Sequence, residues 1–513
     1  MSRISQRAWY LLTVAGVFAV GVWYVGGAGK CGGFGFPLDD AWIHQTYARS
    51  LAQTGRFAYG LGQVSAGSTS PLWTLLLSLG HVLRVSPFLW TYVLGAASWL
   101  LIGWTSTALA RRLFPQQRSV ARWIGLACLL EWHLAWAAFS GMEIALFTFL
   151  SLLLIERYAA GAHPFWVGLI GGLLLITRPE GVVLAGLVAV VAFLDQIRQR
   201  QSSRSREWRS LASTLADMAA GLVVLLAPYV VFNEVVSGQP LPNTFYAKQA
   251  EYRALLAQPI WARLWIVLRR PLVGAQALLV PGFVWQAVWG WRRQKAGDAS
   301  LAAGPSPALI LMLLPVVWWG VYLVIYALRM PVDYQYGRYL MPTVPFLLIY
   351  GIGGTGHWLR PRSPRIAVRV LSRTMTAVIG CLFVAFLFVG ARAYAGDVCT
   401  INGEMVDVAV WLEANTPPDA LVAAHDIGAI GYFAQRPLLD LAGLITPDVI
   451  PYMRDEARLL QFVVEQEADY LATFPSWYPR MVVDDRLLLI YQTECDVTRQ
   501  RGGDSMAVYQ IQR

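Results

Sequence analysis

Asp39 and Asp40 stand side by side in a polar, aromatic-rich stretch, Phe36 to Ser70, of a chain otherwise written in long apolar runs. They follow Phe36-Pro37 and precede Ala41-Trp42-Ile43-His44, so they open a helix whose first turn an acid stabilises. Capping uses one acid; two, with His44 one turn on, suit a carboxylate that takes a proton or holds a metal. Glu143, in Ser140-Gly141-Met142-Glu143, is a third acid at the start of another helix. The cations stand out for a different reason. Lysine occurs only at positions 30, 248 and 295 of an Arg-rich chain, which makes Lys248, two residues after Tyr246, a candidate point charge for a phosphate. The segment Asp333-Tyr334-Gln335-Tyr336-Gly337-Arg338 offers a guanidinium that could grip the same anion. Arg178 and Glu180 lie between two apolar runs too short for two full crossings, so the pair is expected within membrane depth, facing a wet cavity or each other. Acids that could remove a proton, together with cations that could hold a phosphate, suit transfer from a lipid phosphate.

The elements that position these residues are membrane-spanning. Of 513 residues 56% are hydrophobic and only 14% charged, with 22 Trp and 22 Tyr available for interfacial belts. The net charge of +10 would point to nucleic acid in a soluble chain. Here the basic residues occupy short segments between apolar runs, where they orient helices, and nucleic acid is excluded as a partner. The runs cover 8–25, 88–110, 119–138, 142–159, 164–177, 181–195, 212–235, 272–291, 306–328, 340–357 and 367–392, predicting about eleven transmembrane helices. The first, behind Arg3 and Arg7, is read as an uncleaved anchor because it is long for a signal peptide and no Ala-x-Ala site follows. Pro71 to Val85 is apolar but short and is read as interfacial or re-entrant. The basic clusters, Arg111 to Arg122, Arg198 to Arg209, Arg292 to Lys295 and Arg360 to Arg373 among them, then share one side. The loops holding the candidate residues share the other.

From Gly396 onward the chain carries 18 of its 31 acids and only 8 of its 41 basic residues. Residues 396–513 are therefore read as a soluble extracytoplasmic α/β domain, and 1–395 as the transmembrane catalytic domain. In the tail, Met405–Ala414 and Arg458–Glu465 read as helical, and Leu421–Ala424, Leu438–Leu441, Arg486–Tyr491 and Met506–Ile511 as strands. Cys399 and Cys495 flank this domain, and a disulfide between them would close it.

In their order along the chain the motifs resemble the membrane-embedded glycosyltransferases of the GT-C superfamily. The mycobacterial terminal arabinofuranosyltransferase family is the nearest pattern. The resemblance rests on Asp39-Asp40 with Ser65-Ala-Gly-Ser-Thr-Ser70 and Trp73, Ser140-Gly-Met-Glu143, Arg178-Pro-Glu180, Pro242-Asn-Thr-Phe-Tyr-Ala-Lys248, Gly337-Arg338 and Asp440-Leu-Ala-Gly-Leu444. It implies an inverting transferase of the cytoplasmic membrane with an extracytoplasmic site. The donor would be a sugar on polyprenyl phosphate, arabinofuranose or another pentose or hexose, and the acceptor a glycan or glycolipid. Asp39, Asp40 and Glu143 match its catalytic acids; Asp39 is favoured as base because it aligns with the Asp of the Asp-Glu pair in related lipid-A and protein-mannosyl transferases. Lys248 and Arg338 match cations near the donor phosphate. His44, Arg178, Glu180, Tyr246, Asp333, Tyr334, His425 and Asp440 are the remaining substrate-binding candidates, and Glu143 is the position for a divalent cation, Mg or Mn. The soluble domain is shorter than in the mycobacterial enzymes, and His425-Asp426 matches only loosely. The alternative is a polytopic transporter or flippase of lipid-linked or anionic substrates, for which related halves and mid-membrane ionisable residues are expected.

Overall fold

The computed structural model describes residues 5–29, 33–60, 63–115, 118–202, 208–296 and 308–512; Arg3, Lys30, Cys31, Arg204 and Arg206 lie outside them. Every apolar run coincides with helix where it is described, but not as a set of straight rods. Among the described residues five helices are long and apolar enough to cross a membrane: Gln6–Ala28, Pro87–Leu113, Ala212–Ser237, Met312–Arg329 and Ile366–Asn415. Two further pairs qualify only when joined across a bend, Trp132–Phe139 with Ile144–Ala159 at 119° and Ile260–Leu272 with Ala275–Trp289 at 104°. The outer surface of the first helix is apolar, with Leu11 (70%) and Phe18 (72%) exposed, as lipid rather than water requires.

The run 119–138 is broken in its interior, and the cause is Glu131. Its backbone is extended, and its carboxylate starts the next helix by accepting the N–H of Leu134 at 2.9 Å while also pairing with His133 Nδ1 (2.7 Å) and Gln276 Nε2 (3.1 Å). An acid inside an apolar segment is costly unless its oxygens are used, and here they are. The bend after Phe139 passes through Gly141 at φ 80° and delivers Glu143 to the next helix start.

Elsewhere the bundle closes through small residues. A Cβ on Gly168 would lie 1.9 Å from the Met218 carbonyl oxygen, and one on Gly354 the same distance from that of Gly282, so these helices meet backbone to backbone. Helix Pro71–Val82 is short, and a loop ahead of it carries a two-stranded hairpin, β1 (Ala58–Tyr59) and β2 (Gln63–Val64).

Toward the end of the chain the long helix Ile366–Ile401 runs on through a π turn into Asp407–Asn415, so the expected division at 395/396 falls inside continuous helix. Beyond it lie β3 (Val422–Ala424), β4 (Leu438–Asp440), β5 (Tyr470–Thr473), β6 (Leu487–Gln492) and β7 (Ala507–Ile511), in sheet order β4-β3-β5-β7-β6. The register pairs Ala424 with both Asp440 and Ala472, so the parallel strands β4 and β3 end level and β5 runs one residue further, to Thr473. Strand β5 is absent from the sequence reading: four residues, Tyr470–Thr473, give too short a period to register. Leu459, Leu460 and Val463 of helix Glu456–Glu465 pack on Leu439 and Leu471 of the sheet.

The expected Cys399–Cys495 bridge is not formed. Cys495 is a free thiol whose Sγ faces the Cys399 carbonyl oxygen at 3.9 Å instead of its sulfur, while Cys399 is disulfide-bonded elsewhere.

Candidate active site

Helix Asp40–Thr54 begins on Asp39, already in helical conformation, and stops at Gly55 in the left-handed region (φ 69°). Successive residues of a helix point about 100° apart, so the two acids diverge. Asp40 Oδ2 accepts from Arg338 Nη1 at 2.9 Å, and its Oδ1 lies 3.7 Å from Lys248 Nζ. Burial alone would raise its carboxyl, but Arg338 and Lys248 outweigh that and hold it well below the usual carboxylate range. Asp39 turns the other way, each oxygen accepting a backbone N–H from the tail, Gly428 at 2.7 Å and Ala429 at 2.8 Å. Burial pushes its carboxyl up to about 7 against the pull of those two donors.

Lys248 rides on helix Asn243–Glu251, which is seated against the first loop by the Asn243 N–H on the Ala66 carbonyl (3.0 Å) and the Thr244 hydroxyl on that of Gly67. Arg338 follows three consecutive left-handed residues, Gln335, Tyr336 and Gly337 (φ 52°, 59° and 70°). The two cations converge on one hydroxyl: Lys248 Nζ (2.9 Å) and Arg338 Nη2 (3.0 Å) both donate to Tyr339 Oη.

Beside this group runs a second chain of alternating charge. Glu143 Oε1 accepts from Arg178 Nη1 at 2.8 Å, and Glu143 Oε2 lies 3.3 Å from His44 Nε2. Arg178 Nη2 donates to Glu180 Oε1 at 3.2 Å, an oxygen that also accepts from Tyr326 Oη at 2.5 Å. Arg178 therefore joins two acids, where the sequence reading paired it with one. Both chains line a single cavity of about 630 Å³, and a large part of its remaining wall is apolar, with Val182, Val183, Leu226, Val230, Ile325 and Met330.

Of the predicted site residues, Asp40, His44, Glu143, Arg178, Glu180, Lys248 and Arg338 line this cavity. The others are engaged elsewhere. Asp333 pairs with Arg269 and with Arg270 (3.0 Å), Tyr334 donates to Tyr252 Oη (2.6 Å) behind Tyr339, and Tyr246 packs on Phe245. Asp440 is fully buried and holds a turn, accepting from the N–H groups of Ala442 (2.8 Å), Leu444 (2.5 Å) and Ile445 (2.7 Å). His425 sits at the end of β3, its Nδ1 2.7 Å from Tyr478 Oη. Tyr339, Tyr326 and Arg329 line the cavity but were not singled out in the sequence. Tyr339 directly follows Arg338 and was within reach of the motif; Tyr326, inside an apolar run, left no signal.

The divalent ion expected at Glu143 does not fit the donors around it. Both carboxylate oxygens face cationic or imidazole partners, and among the described residues no group of three or more His, Cys, Asp or Glu side chains could hold a metal.

Residues 396–509 match the family model described as a Domain of unknown function (DUF8728). No curated protein matches the chain. Among solved structures the chain is similar to ArnT from Cupriavidus metallidurans bound to undecaprenyl phosphate, with TM-score 0.62 and 15% identity over 99% of this chain and 98% of that one. It is also similar to the Archaeoglobus fulgidus oligosaccharyltransferase, with TM-score 0.58 and 11% identity over 91% of this chain and 70% of that one. The mycobacterial arabinofuranosyltransferase AftD aligns at TM-score 0.49 and 14% identity, this chain spanning 42% of its length. The fold is that shared by ArnT and the archaeal oligosaccharyltransferase.

Proposed function

We propose that the chain is an inverting membrane glycosyltransferase that moves a sugar from a polyprenyl-phosphate donor to a glycan or glycolipid outside the cytoplasm. The observation that carries this reading is the Asp40 carboxylate held between Lys248 and Arg338 in a cavity with a large apolar wall. Two cations facing one carboxylate make a site for a second anion, and the apolar wall suits a prenyl chain. Among the structural relatives, ArnT was solved with undecaprenyl phosphate and the archaeal AglB with a dolichol-phosphate, which supports the same donor class here.

The acceptor oxygen attacks the anomeric carbon as the bond from that carbon to the phosphate oxygen breaks. The electron pair leaves with polyprenyl phosphate, and the hydroxyl proton passes to Asp40. As negative charge grows on the departing phosphate, Lys248 and Arg338 pair with it and loosen their hold on Asp40, whose basicity rises when the proton needs a place. Asp40 is preferred to Asp39 because both oxygens of Asp39 already accept backbone N–H groups. Glu143 keeps Arg178 and His44 in place beside the base. The motif order favours arabinofuranose or another pentose or hexose as the sugar. About eleven apolar segments are taken to cross the membrane. The face that carries the basic clusters is taken as cytoplasmic, which leaves residues 396–513 outside.

With purified protein and a set of polyprenyl-phosphate sugars, Asp40→Asn is expected to lower turnover by roughly 10²–10⁴-fold. Lys248→Ala should lower it by roughly 10²–10³-fold. Wild-type turnover by Asp40→Asn would remove the assignment.

A further inference from the structure

A tyrosine in the left-handed region is uncommon, because its side chain crowds its own backbone, and it persists only where neighbours hold it there. Tyr336 is one, at φ 59°, in the turn that delivers Arg338 to the cavity. Its ring stands edge-on to two indoles, Trp132 at 5.3 Å and Trp136 at 5.6 Å between ring centres, and its hydroxyl donates to Asp397 Oδ1 at 3.2 Å.

Asp397 lies on the long helix Ile366–Ile401 and uses both of its oxygens. Oδ2 accepts from Trp136 Nε1 at 3.1 Å, and Oδ1 also faces Arg501 Nη1 at 2.9 Å. Arg501 belongs to the C-terminal unit, directly after the helix Asp496–Gln500, and its Nη2 lies 3.5 Å from the Tyr336 hydroxyl. It reaches Asp397 past Gly396, where a Cβ would stand 3.0 Å from the guanidinium carbon. Tyr336, Trp132, Trp136, Asp397 and Arg501 do not line the cavity. An ion pair that merely tied the tail to the bundle would account for Asp397 and Arg501, but not for a strained tyrosine completing it. The ends of the turn are fixed separately, by Asp333 on Arg270 (3.0 Å) and by Tyr322 Oη on the Tyr339 carbonyl (3.1 Å). Tyr336 fixes its middle.

We infer that Asp397 is a positioning residue for the donor phosphate: through Tyr336 it holds the strained turn that aims Arg338, and its pair with Arg501 makes that aim depend on how the C-terminal unit is seated. The inference rests on the transferase reading above and adds the remote groups that set its anion grip. A turn released from the left-handed region would rotate the backbone just ahead of Arg338, whose Nη1 and Nη2 hold Asp40 and Tyr339 at 2.9 and 3.0 Å. Hydrogen bonds of that length do not survive a displacement of about an ångström. A carboxylate suits position 397 because both of its oxygens accept; an amide would turn a donor toward either Trp136 or the Tyr336–Arg501 pair.

The test titrates the full-length protein in detergent with undecaprenyl phosphate and, separately, with undecaprenol, which has the chain without the anion. Tyr336→Phe keeps the ring between the indoles and removes only the hydroxyl. The Kd for undecaprenyl phosphate is expected to rise roughly three- to tenfold in Tyr336→Phe and in Asp397→Asn, and in the same direction in Arg501→Gln, with the Kd for undecaprenol unchanged. In an Arg338→Gln background Tyr336→Phe should add nothing, since its effect runs through Arg338. An unchanged Kd for undecaprenyl phosphate in Tyr336→Phe overturns the proposal. So does an equal loss for both lipids, which marks a general loosening of the bundle, or full additivity with Arg338→Gln. If Asp397→Asn does not fold, Tyr336→Phe decides alone. Failure of the parent reading looks different: the wild-type protein then neither binds undecaprenyl phosphate nor transfers sugar from any polyprenyl-phosphate donor, and the positioning role falls with it. If the wild-type protein transfers sugar and Tyr336→Phe leaves the undecaprenyl phosphate Kd unchanged, the positioning role falls and the transferase reading stands.

Discussion

Asp40 is the counter-ion of Lys248 and Arg338, and that pairing sets how its activity should depend on pH. A general base works only when deprotonated. Held well below the usual carboxylate range by the two cations, Asp40 stays ionised through mildly acid conditions, so kcat/KM should be flat there. If Asp39 were the base, its carboxyl near 7 would make the rate fall as pH drops through neutrality. A pH–rate profile between mildly acid and mildly alkaline buffers separates the two, and an acid limb centred near neutrality sinks the Asp40 assignment. At this scale the sequence was readable where residue type was unusual for its setting. Paired acids, a rare lysine and an arginine beside a glycine stood out against apolar surroundings. Tyr339 and Tyr326 did not, because aromatic residues are ordinary in membrane helices and only their hydroxyl partners show their use.

Among the elements, the turn before Arg338 carries the strongest local constraint. Gln335, Tyr336 and Gly337 are all left-handed, and a Cβ on Gly337 would lie 2.6 Å from Arg270 Cβ. Gly337→Ala therefore meets both backbone strain and a collision, at a cost on the order of 1–3 kcal/mol. The expected outcome is a lower melting temperature in detergent and a raised donor KM with acceptor KM little changed; an unaltered donor KM would show that the turn does not position Arg338. Helices were legible from apolar length, yet their breaks were not. Glu131 lies inside the run 119–138, which reads as one unbroken span, and in the fold its oxygens start a helix and take up His133 and Gln276. That rescue depends on Gln276, 145 residues away, which no local window contains.

Across the whole molecule, the C-terminal unit is tied to the segment around Asp39 by side chains reading backbone. Asp39 receives Gly428 and Ala429, Arg49 donates to the Tyr432 carbonyl at 2.9 Å, and Trp42 packs on Phe433 with ring centres 4.6 Å apart. Because burial raises the Asp39 carboxyl to about 7, above its unfolded value of about 4, the protonated form is favoured by folding. Its contribution to stability is complete below the unfolded value and is lost as pH rises through about 7. The melting temperature should thus fall from mildly acid to mildly alkaline pH, and Asp39→Asn should flatten that fall; an identical slope in the variant would show that Asp39 is not the group responsible. From its own residues the chain determined a helical membrane bundle and an acidic α/β tail, because hydrophobic length and charge bias act locally. Only the tertiary structure decided that Asp40 enters the cavity while Asp39 docks the tail, that Glu143 is satisfied by Arg178 and His44, and that Cys495 stays a thiol. Those outcomes turn on the direction of one side chain relative to partners remote in sequence, and direction is a property of packing, which composition and periodicity do not encode.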